Sequence, residues 1–283
     1  MEPKPPHLAA EYGSQFADAS VAAAYAKRPP YPDAVFDVLT ALLPSGAQRV
    51  LELGCGSGDL TLQLARRVDH VDALEPSMAM LEIARAGMPA GRGNVRWLQT
   101  TAEAFEPEET YSLVVAAESL HWMEWSIVLG MIDRALDERG VLAIVTERRR
   151  SELPWMARAR ELIARHSTNR EYRTYDLIAE LHRRGLFRES GRRECTQPAF
   201  AQHVDDYVES FHSRNGFSRE RMSAESARAF DAALRDLVLA HARDGVVTSA
   251  ITATVVWGRP DRASKPRRPG KRKAASKPRK RPR

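Results

Sequence analysis

The stretch that decides the fold is Val50-Leu-Glu-Leu-Gly-Cys-Gly-Ser-Gly-Asp-Leu-Thr61. Residues 49–53 form a short, mostly apolar run, which predicts a buried strand. Three glycines follow at positions 54, 56 and 58, where the missing side chains let the backbone adopt positive φ and pass close to a ligand. Residues 59–67 have helical character. The stretch therefore predicts a strand that enters a helix through a glycine turn.

The same alternation of strand and helix continues beyond this stretch. Ser77 is placed to cap the amino terminus of a helix over residues 77–85. Further strands are predicted at residues 70–75, 94–98, 112–116 and 140–145. Their nearly continuous apolar character is typical of a sheet that helices cover on both faces. The pattern indicates an α/β fold.

The segments on either side of this core are predicted to be helical or disordered. Residues 34–43 carry an apolar stripe, and another helix is expected to end near Tyr25. After the fifth strand, four helical segments within about residues 151–243 contain no new strand-loop-helix unit, so we interpret them as a helical cap inserted before a last strand at 247–257. The Pro-rich residues 1–13 and the basic residues 259–283 are expected to be disordered, which leaves residues 14–258 as the folded domain.

Charge is distributed unevenly along the chain. The net charge is +6, but residues 259–283 hold 13 Lys or Arg against the single acid Asp261, so the rest of the chain has a net charge of −6. An acidic body argues against a broad nucleic-acid-binding face on the fold itself. Any contact with nucleic acid or another polyanion is expected to be weak and to be made by the basic tail.

Composition narrows the remaining classes of protein. A chain of 283 residues with 43% apolar residues is long enough to bury a full core. No apolar stretch approaches the roughly 20 residues of a membrane helix, and the first residues lack the apolar core of a signal peptide, so we expect a cytoplasmic protein without membrane insertion. Cys55 and Cys195 are far apart and form no CxxC pair, so neither a disulfide framework nor a metal site is predicted.

The glycine turn and two carboxylates point to a nucleoside cofactor. A dinucleotide fingerprint needs GxGxxG, whereas Asp59 stands where its third glycine would be, so the spacing disfavours NAD. Glu75 ends the second strand, where a carboxylate can accept hydrogen bonds from both hydroxyls of a ribose. Glu52 is placed to face the ammonium of a bound amino acid moiety. Capping of nearby backbone is an equally good interpretation of Glu52.

Five motifs together resemble a known family: the glycine stretch above, Leu74-Glu-Pro-Ser-Met78, Thr101-Ala-Glu103, Ser119-Leu-His-Trp122, and Tyr25-Ala-Lys-Arg-Pro-Pro-Tyr-Pro32. In this order and spacing they resemble the class I S-adenosylmethionine-dependent methyltransferases, in the type 11 group similar to trans-aconitate methyltransferase. The resemblance spans about residues 12–258, and its specific motifs lie between residues 25 and 122.

The resemblance implies a Rossmann-like, seven-stranded sheet whose last strand is reversed, with S-adenosylmethionine as cofactor. The ribose and the methionine part would lie over the glycine turn, and the adenine would lie near the Thr101 motif. The cofactor-binding residues expected on this basis are Gly54, Gly56, Gly58, Glu75, Pro76, Thr101, Ala102, Glu103 and Ala116. Tyr25 and Arg28 are predicted to hold the methionine carboxylate, with surface residues at a helix end as the alternative interpretation.

Methyl transfer from a sulfonium is an in-line displacement, so positioning supplies much of the rate and no covalent catalysis is needed. His121 follows the fourth strand, on the edge where open α/β sheets bind ligands, and is the candidate catalytic residue; a structural histidine is the alternative. A small-molecule acceptor is predicted. An RNA or other nucleic-acid methyltransferase that captures its substrate through the basic tail and a catalytically silent binding protein are the alternatives. Oxygen, nitrogen, sulfur and carbon all remain open as the acceptor atom.

Overall fold

Seven strands form a single mixed sheet in the computed structural model, which describes residues 4–46, 48–91, 93–149, 153–173 and 175–261. The strands are β1 (Arg49–Leu53), β2 (His70–Leu74), β3 (Val95–Leu98), β4 (Tyr111–Ala117), β5 (Leu136–Arg149), β6 (Phe187–His203) and β7 (Val246–Pro260). Their order across the sheet is β3-β2-β1-β4-β5-β7-β6.

The direction of the strands confirms the predicted architecture. Strands β1 to β5 pair in parallel, with Leu51 of β1 opposite Val114 of β4. Strand β7 runs antiparallel to both of its neighbours, β5 and β6. The sheet is therefore Rossmann-like with a reversed last strand. The carboxyl ends of β1, β2 and β4 meet at one edge, where open α/β sheets bind ligands.

Ten α-helices are present in the described part of the chain. They are α1 (Ala10–Gly13), α2 (Ala19–Tyr25), α3 (Asp33–Ala41), α4 (Asp59–Leu64), α5 (Met78–Ala86), α6 (Trp125–Ala135), α7 (Met156–His166), α8 (Leu177–Arg183), α9 (Val204–Ser210) and α10 (Ala224–Leu239). Short 3-10 turns occur at Pro6–Leu8, Ser14–Ala17, Leu120–Trp122 and Phe211–Ser213. No helix in these ranges is long and apolar enough to cross a membrane.

Helices bury both faces of the sheet, as the apolar strands predicted. Leu51 packs on one face with side chains from α6 and α8, and its neighbour Val50 packs on the other with α3 and α4. Successive strand residues point to opposite faces, so a strand buried on both sides needs an unbroken apolar run. Ser77 caps α5 as predicted, because its Oγ accepts a hydrogen bond from the Met80 N–H.

A second apolar core lies in the cap, where α7, α9 and α10 meet. Trp155, Tyr207 and Phe230 are its largest buried side chains, and the Trp155 indole N–H donates to the Tyr207 hydroxyl at 3.1 Å. Helix α8 does not belong to this group, since Leu181 is buried against the sheet. The predicted cap at residues 151–243 is thus divided between α7, α9 and α10, which form the cap, and α8 and β6, which belong to the sheet layer.

Strand β6 lies within residues 151–243 but was not among the predicted strands. It is an edge strand, its only partner in the described part of the chain is β7, and most of its side chains are at least partly exposed. Its pairing shifts register at Gly191 and again near Pro198. An edge strand tolerates polar residues, glycine and proline at such irregularities, so it lacks the apolar run by which the other strands were recognised.

The structure describes part of each end that was predicted to be disordered. The amino-terminal expectation is wrong for residues 4–13, which include a 3-10 turn and α1 and bury His7 and Leu8. The Lys4 ammonium anchors this segment by donating to the carbonyls of Trp122 at 3.1 Å and Met123 at 2.9 Å. At the other end, Arg259 and Pro260 still pair in β7. The rest of the predicted basic tail, residues 262–283, lies outside the described residues.

Candidate active site

A cavity of about 320 Å³ opens at the carboxyl edge of the sheet, beside the glycine turn. Gly54 has a φ of +71°, and a Cβ there would lie 2.8 Å from the Cβ of Ser119. Ser119 in turn donates from its hydroxyl to the Leu53 carbonyl. The turn after β1 is thus held tightly against the loop after β4. Only glycine fits this approach and this backbone conformation.

Gly58 has a different role from the one expected. Its φ is +83°, and a Cβ there would lie 2.9 Å from the Cβ of Ala84 on α5. Gly58 does not line the cavity. It lets the amino terminus of α4 pack against α5, so its contribution to the site is indirect: it fixes the path of the turn.

Glu75 is hydrogen-bonded to the glycine turn. It is 7% exposed, and its carboxylate accepts hydrogen bonds from the Gly56 N–H at 3.0 Å and the Ser77 N–H at 2.9 Å. Burial raises its pKa, and the two backbone N–H groups oppose that rise. Each carboxylate oxygen keeps a further lone pair for a ligand. Glu75 therefore combines a structural role with the capacity to accept ligand hydroxyls at the cavity wall.

Glu52 lies deeper, at 1% exposure. Burial raises its pKa to about 8, although a hydrogen bond from the Thr61 hydroxyl lowers it. Asp59 and Glu75 also raise the pKa, since their charges oppose a further negative charge. A buried carboxyl among acids binds a cation readily, because the cation offsets the cost of ionisation. This environment suits the ammonium of an amino acid moiety.

The remaining predicted cofactor residues come from four segments of the chain. All of them line this first cavity except Gly58 and Ala116. Tyr25 and Arg28 enter it from the end of α2, where the Arg28 guanidinium lies 4.5 Å from the centroid of the Tyr25 ring. The Arg28 Nε–H also donates to the Ser213 hydroxyl at 3.0 Å. Pro76, Thr101, Ala102 and Glu103 also line this cavity.

A second cavity, of about 510 Å³, adjoins the first. Both Ala116 and His121 line it, so Ala116 borders the second cavity and not the first. The side chains shared by the two cavities are Phe16, Tyr25, Arg28, Glu118, Ser119 and Trp122. Glu118 has a φ of +51°, an uncommon conformation for a residue other than glycine. Such strain is concentrated at functional sites, and here it marks the boundary between the cavities.

His121 is the predicted catalytic residue, and it packs in the second cavity against Trp122, with 4.8 Å between the ring centroids. Burial, together with the charges of Lys4 and Arg28, lowers its pKa to about 4. The imidazole is therefore neutral at pH 7. A neutral imidazole has one nitrogen that accepts a hydrogen bond, but with so low a pKa it is a weak base.

Several residues of the second cavity carried no signal in the sequence. His7 lies in the segment expected to be disordered, and Asn169 and Tyr175 lie in the connection between α7 and α8. Each is a single polar residue outside any motif, and only the packing of distant segments brings them together. Among the described residues, no group of His, Cys, Asp or Glu side chains is arranged to hold a metal ion.

Comparison with known proteins finds sequence similarity to methyltransferases. A family model for a methyltransferase domain matches residues 50–140. An uncharacterised methyltransferase of Mycobacterium tuberculosis is 34% identical over 138 residues, which are 49% of this chain and 54% of that protein. Trans-aconitate 2-methyltransferase of Streptomyces coelicolor is 35% identical over 108 residues, 36% of this chain and 35% of that enzyme. The chain spans about half the length of the first of these relatives.

A solved structure from Anaeromyxobacter dehalogenans, named as a type II methyltransferase, shares the fold. Its TM-score is 0.56 at 22% sequence identity, and the match covers 82% of this chain and 97% of that chain. The strand order with its reversed last strand is a Rossmann-like fold, which this chain shares with that methyltransferase structure. Residues 50–140 match the model of a methyltransferase domain, so this part of the chain is similar to S-adenosylmethionine-dependent methyltransferases.

Proposed function

We propose that this chain transfers the methyl group of S-adenosylmethionine to a small molecule held in the second cavity. The observation that carries this proposal is the pair of adjoining cavities that share the wall at Glu118, Ser119 and Trp122. One cavity has the groups that suit the cofactor, and the other is a separate space beside it. In-line transfer needs this arrangement, with donor and acceptor on opposite sides of the moving methyl group.

In this proposal the cofactor, when bound, supplies a methyl group activated by its sulfonium. Glu75 accepts hydrogen bonds from the ribose hydroxyls, and Glu52 pairs with the ammonium of the methionine part. Arg28 and Tyr25 hold the methionine carboxylate, and residues 101–103 bound the adenine. These assignments are supported by the positions of the side chains around the first cavity and by the burial of both carboxylates.

A small molecule is the favoured acceptor because the second cavity is bounded by several segments of the chain. His7 and Leu8 come from the amino-terminal segment, and Asn169 and Ile178 come from the region of α7 and α8. The net charge of −6 on residues 1–258 also disfavours a polyanion at this edge. An RNA acceptor captured by the basic tail is the competing proposal, and the tail lies outside the described residues.

His121 is proposed to align the acceptor by accepting a hydrogen bond from its reactive O–H, N–H or S–H group. Replacing His121 with Gln is expected to lower kcat about tenfold or more, because the imidazole nitrogen that accepts the hydrogen bond from the substrate is lost. The affinity for S-adenosylmethionine, measured by calorimetry, should stay nearly unchanged. Full turnover with the true acceptor would make His121 a structural residue.

The proposal is tested by incubating the protein with S-adenosylmethionine labelled on the methyl group and a panel of small acceptors, with and without RNA. Label in a small-molecule product supports the proposal. Label in RNA alone supports the nucleic-acid alternative instead. Calorimetry with S-adenosylmethionine and with NAD is the matched binding test. Comparable binding of NAD and none of S-adenosylmethionine would contradict the cofactor site itself.

A further inference from the structure

Three side chains that line the second cavity each have a buried polar atom without a hydrogen-bond partner in the described part of the chain. The three atoms are the His7 Nε2, the Asn169 Oδ1 and the Tyr175 hydroxyl. A buried polar group without a partner costs about 1–3 kcal/mol, and native proteins have few of them. Three such groups around one cavity are therefore a feature that a ligand would explain, and we call them the polar triad.

The orientation of Asn169 is fixed by a chain of hydrogen bonds. The Asn215 side-chain amide N–H donates to the Tyr12 carbonyl at 2.8 Å, so the Asn215 Oδ1 is left to accept from the Asn169 amide at 2.6 Å. The same Asn169 nitrogen donates to the His7 carbonyl at 3.3 Å. Backbone carbonyls at both ends therefore determine which atom of each amide is the nitrogen. The Asn169 Oδ1 can act only as an acceptor.

Each member of the polar triad is uncharged at neutral pH. Burial lowers the pKa of His7, and the charge of Arg173 lowers it further. Burial raises the pKa of Tyr175, so its hydroxyl keeps its proton and can donate it. The rings of His7 and Tyr175 pack edge to face, with their centroids 5.5 Å apart.

Charged groups of the same cavity already have partners of their own. Arg192 pairs with Glu189 through two hydrogen bonds of 2.7 and 2.6 Å. Asp176 caps α8 by accepting from the Ala179 N–H at 3.0 Å. Arg28, whose Nε–H donates to Ser213, and Glu118 lie on the wall shared with the first cavity. The polar triad itself is thus a neutral subsite, and apolar residues such as Leu8, Ile144 and Val256 line the same cavity.

We propose that the polar triad recognises an uncharged hydroxyl group of the acceptor. The hydroxyl donates to the Asn169 Oδ1 and accepts from the Tyr175 hydroxyl, and the His7 Nε2 supports either role. A carboxylate does not fit, because it has no proton to donate and would face the Asn169 oxygen with a negative charge. This inference rests on the proposed function only in treating the second cavity as the acceptor site.

The test measures the binding of three matched probes to the full chain in the absence of S-adenosylmethionine, by ligand-observed NMR titration at neutral pH. The probes are 2-phenylethanol, phenylacetate and ethylbenzene. We expect 2-phenylethanol to bind more tightly than the other two. In Tyr175→Phe its affinity should fall about tenfold, the usual effect of one lost hydrogen bond, whereas the affinity for ethylbenzene should not change.

Tyr12→Phe is the matched control, because the Tyr12 side chain is partly exposed and lines neither cavity. It should leave the binding of all three probes unchanged. A thermal melt separates recognition from structure: Tyr175→Phe should raise the Tm of the ligand-free protein, since it removes a buried unpaired hydroxyl. A structural hydroxyl would give a lower Tm.

Three results would overturn the inference. They are tighter binding of phenylacetate than of 2-phenylethanol, unchanged affinity for 2-phenylethanol in Tyr175→Phe, and no binding of 2-phenylethanol to the wild-type chain at millimolar concentration. None of them depends on methyl transfer. Failure of the polar triad is therefore distinguishable from failure of the proposed function, which the labelled-methyl assay measures.

Discussion

At the scale of single residues, Glu75 is the side chain on which both the turn and the proposed ribose contact depend. Glu75→Ala is expected to weaken S-adenosylmethionine binding by about 1–3 kcal/mol, because two hydroxyls and two backbone N–H groups lose their acceptor. Calorimetry measures the loss. Glu82→Ala, on the exposed face of α5, is the matched control and should bind normally. A folded Glu75→Ala variant with unchanged affinity would remove Glu75 from the site.

Glu52 should make cofactor binding depend on pH. With a pKa of about 8, it is protonated at pH 6 to 7, and an ammonium ligand favours its ionised form. Binding then releases a proton, so the affinity for S-adenosylmethionine should rise with pH, by up to about tenfold per unit between pH 6 and 7.5. Calorimetry in buffers of different ionisation enthalpy counts the released proton. Glu52→Gln should abolish the pH dependence, and a flat wild-type profile would contradict the proposed pairing.

At the scale of elements, Asp72 joins three strands. It is fully buried on β2 and accepts from Arg96 of β3 at 2.8 and 2.9 Å and from the Tyr111 hydroxyl of β4 at 2.6 Å. Asp72→Ala is expected to lower the free energy of unfolding by about 2–3 kcal/mol, since it leaves these donors unpaired. Urea unfolding measures the change. Glu109→Ala removes only the exposed pair with Arg49 and should cost under about 0.5 kcal/mol.

The same carboxylate predicts how the sheet responds to acid. Hydrogen bonds from Arg96, Tyr111 and His70 lower the pKa of Asp72 against the opposing effect of burial. Its contribution to stability is therefore present above the ordinary pKa of an aspartate and is lost as the pH falls through the lowered value. The difference in unfolding free energy between wild type and Asp72→Ala should shrink in acid. A difference that is constant over that range would show that packing, and not charge, is responsible.

At the scale of the whole molecule, the role of the basic tail distinguishes the small-molecule proposal from the nucleic-acid alternative. Residues 262–283 hold 12 Lys or Arg and no acid. A chain that ends at Asp261 keeps all of β7, and the Asp261 N–H still donates to the Leu186 carbonyl at 2.9 Å. This truncation should abolish retention on RNA at low salt, yet preserve the Tm, cofactor affinity and methylation of a small acceptor. Loss of methylation with intact cofactor binding would favour the nucleic-acid alternative.

The sequence by itself determined the central sheet and most of the cofactor cavity. Local pattern suffices there, because strands buried on both faces must be apolar throughout and the turn after β1 must be glycine where the loop after β4 approaches it. The first cavity is built from residues at the ends of adjacent parallel strands. Motifs that follow such strands, including those that contain Glu52, Glu75 and Thr101, therefore lie together without any long-range information.

Only the tertiary structure decided the position of β6, the order of residues 4–13 and the composition of the second cavity. Edge strand β6 has one partner and much exposed surface, so its sequence carries little hydrophobic pattern. Residues 4–13 are ordered by contacts more than 100 positions away, such as those of Lys4 with Trp122 and Met123. His7, Asn169 and Tyr175 meet for the same reason: packing between distant segments leaves no local signature in the sequence.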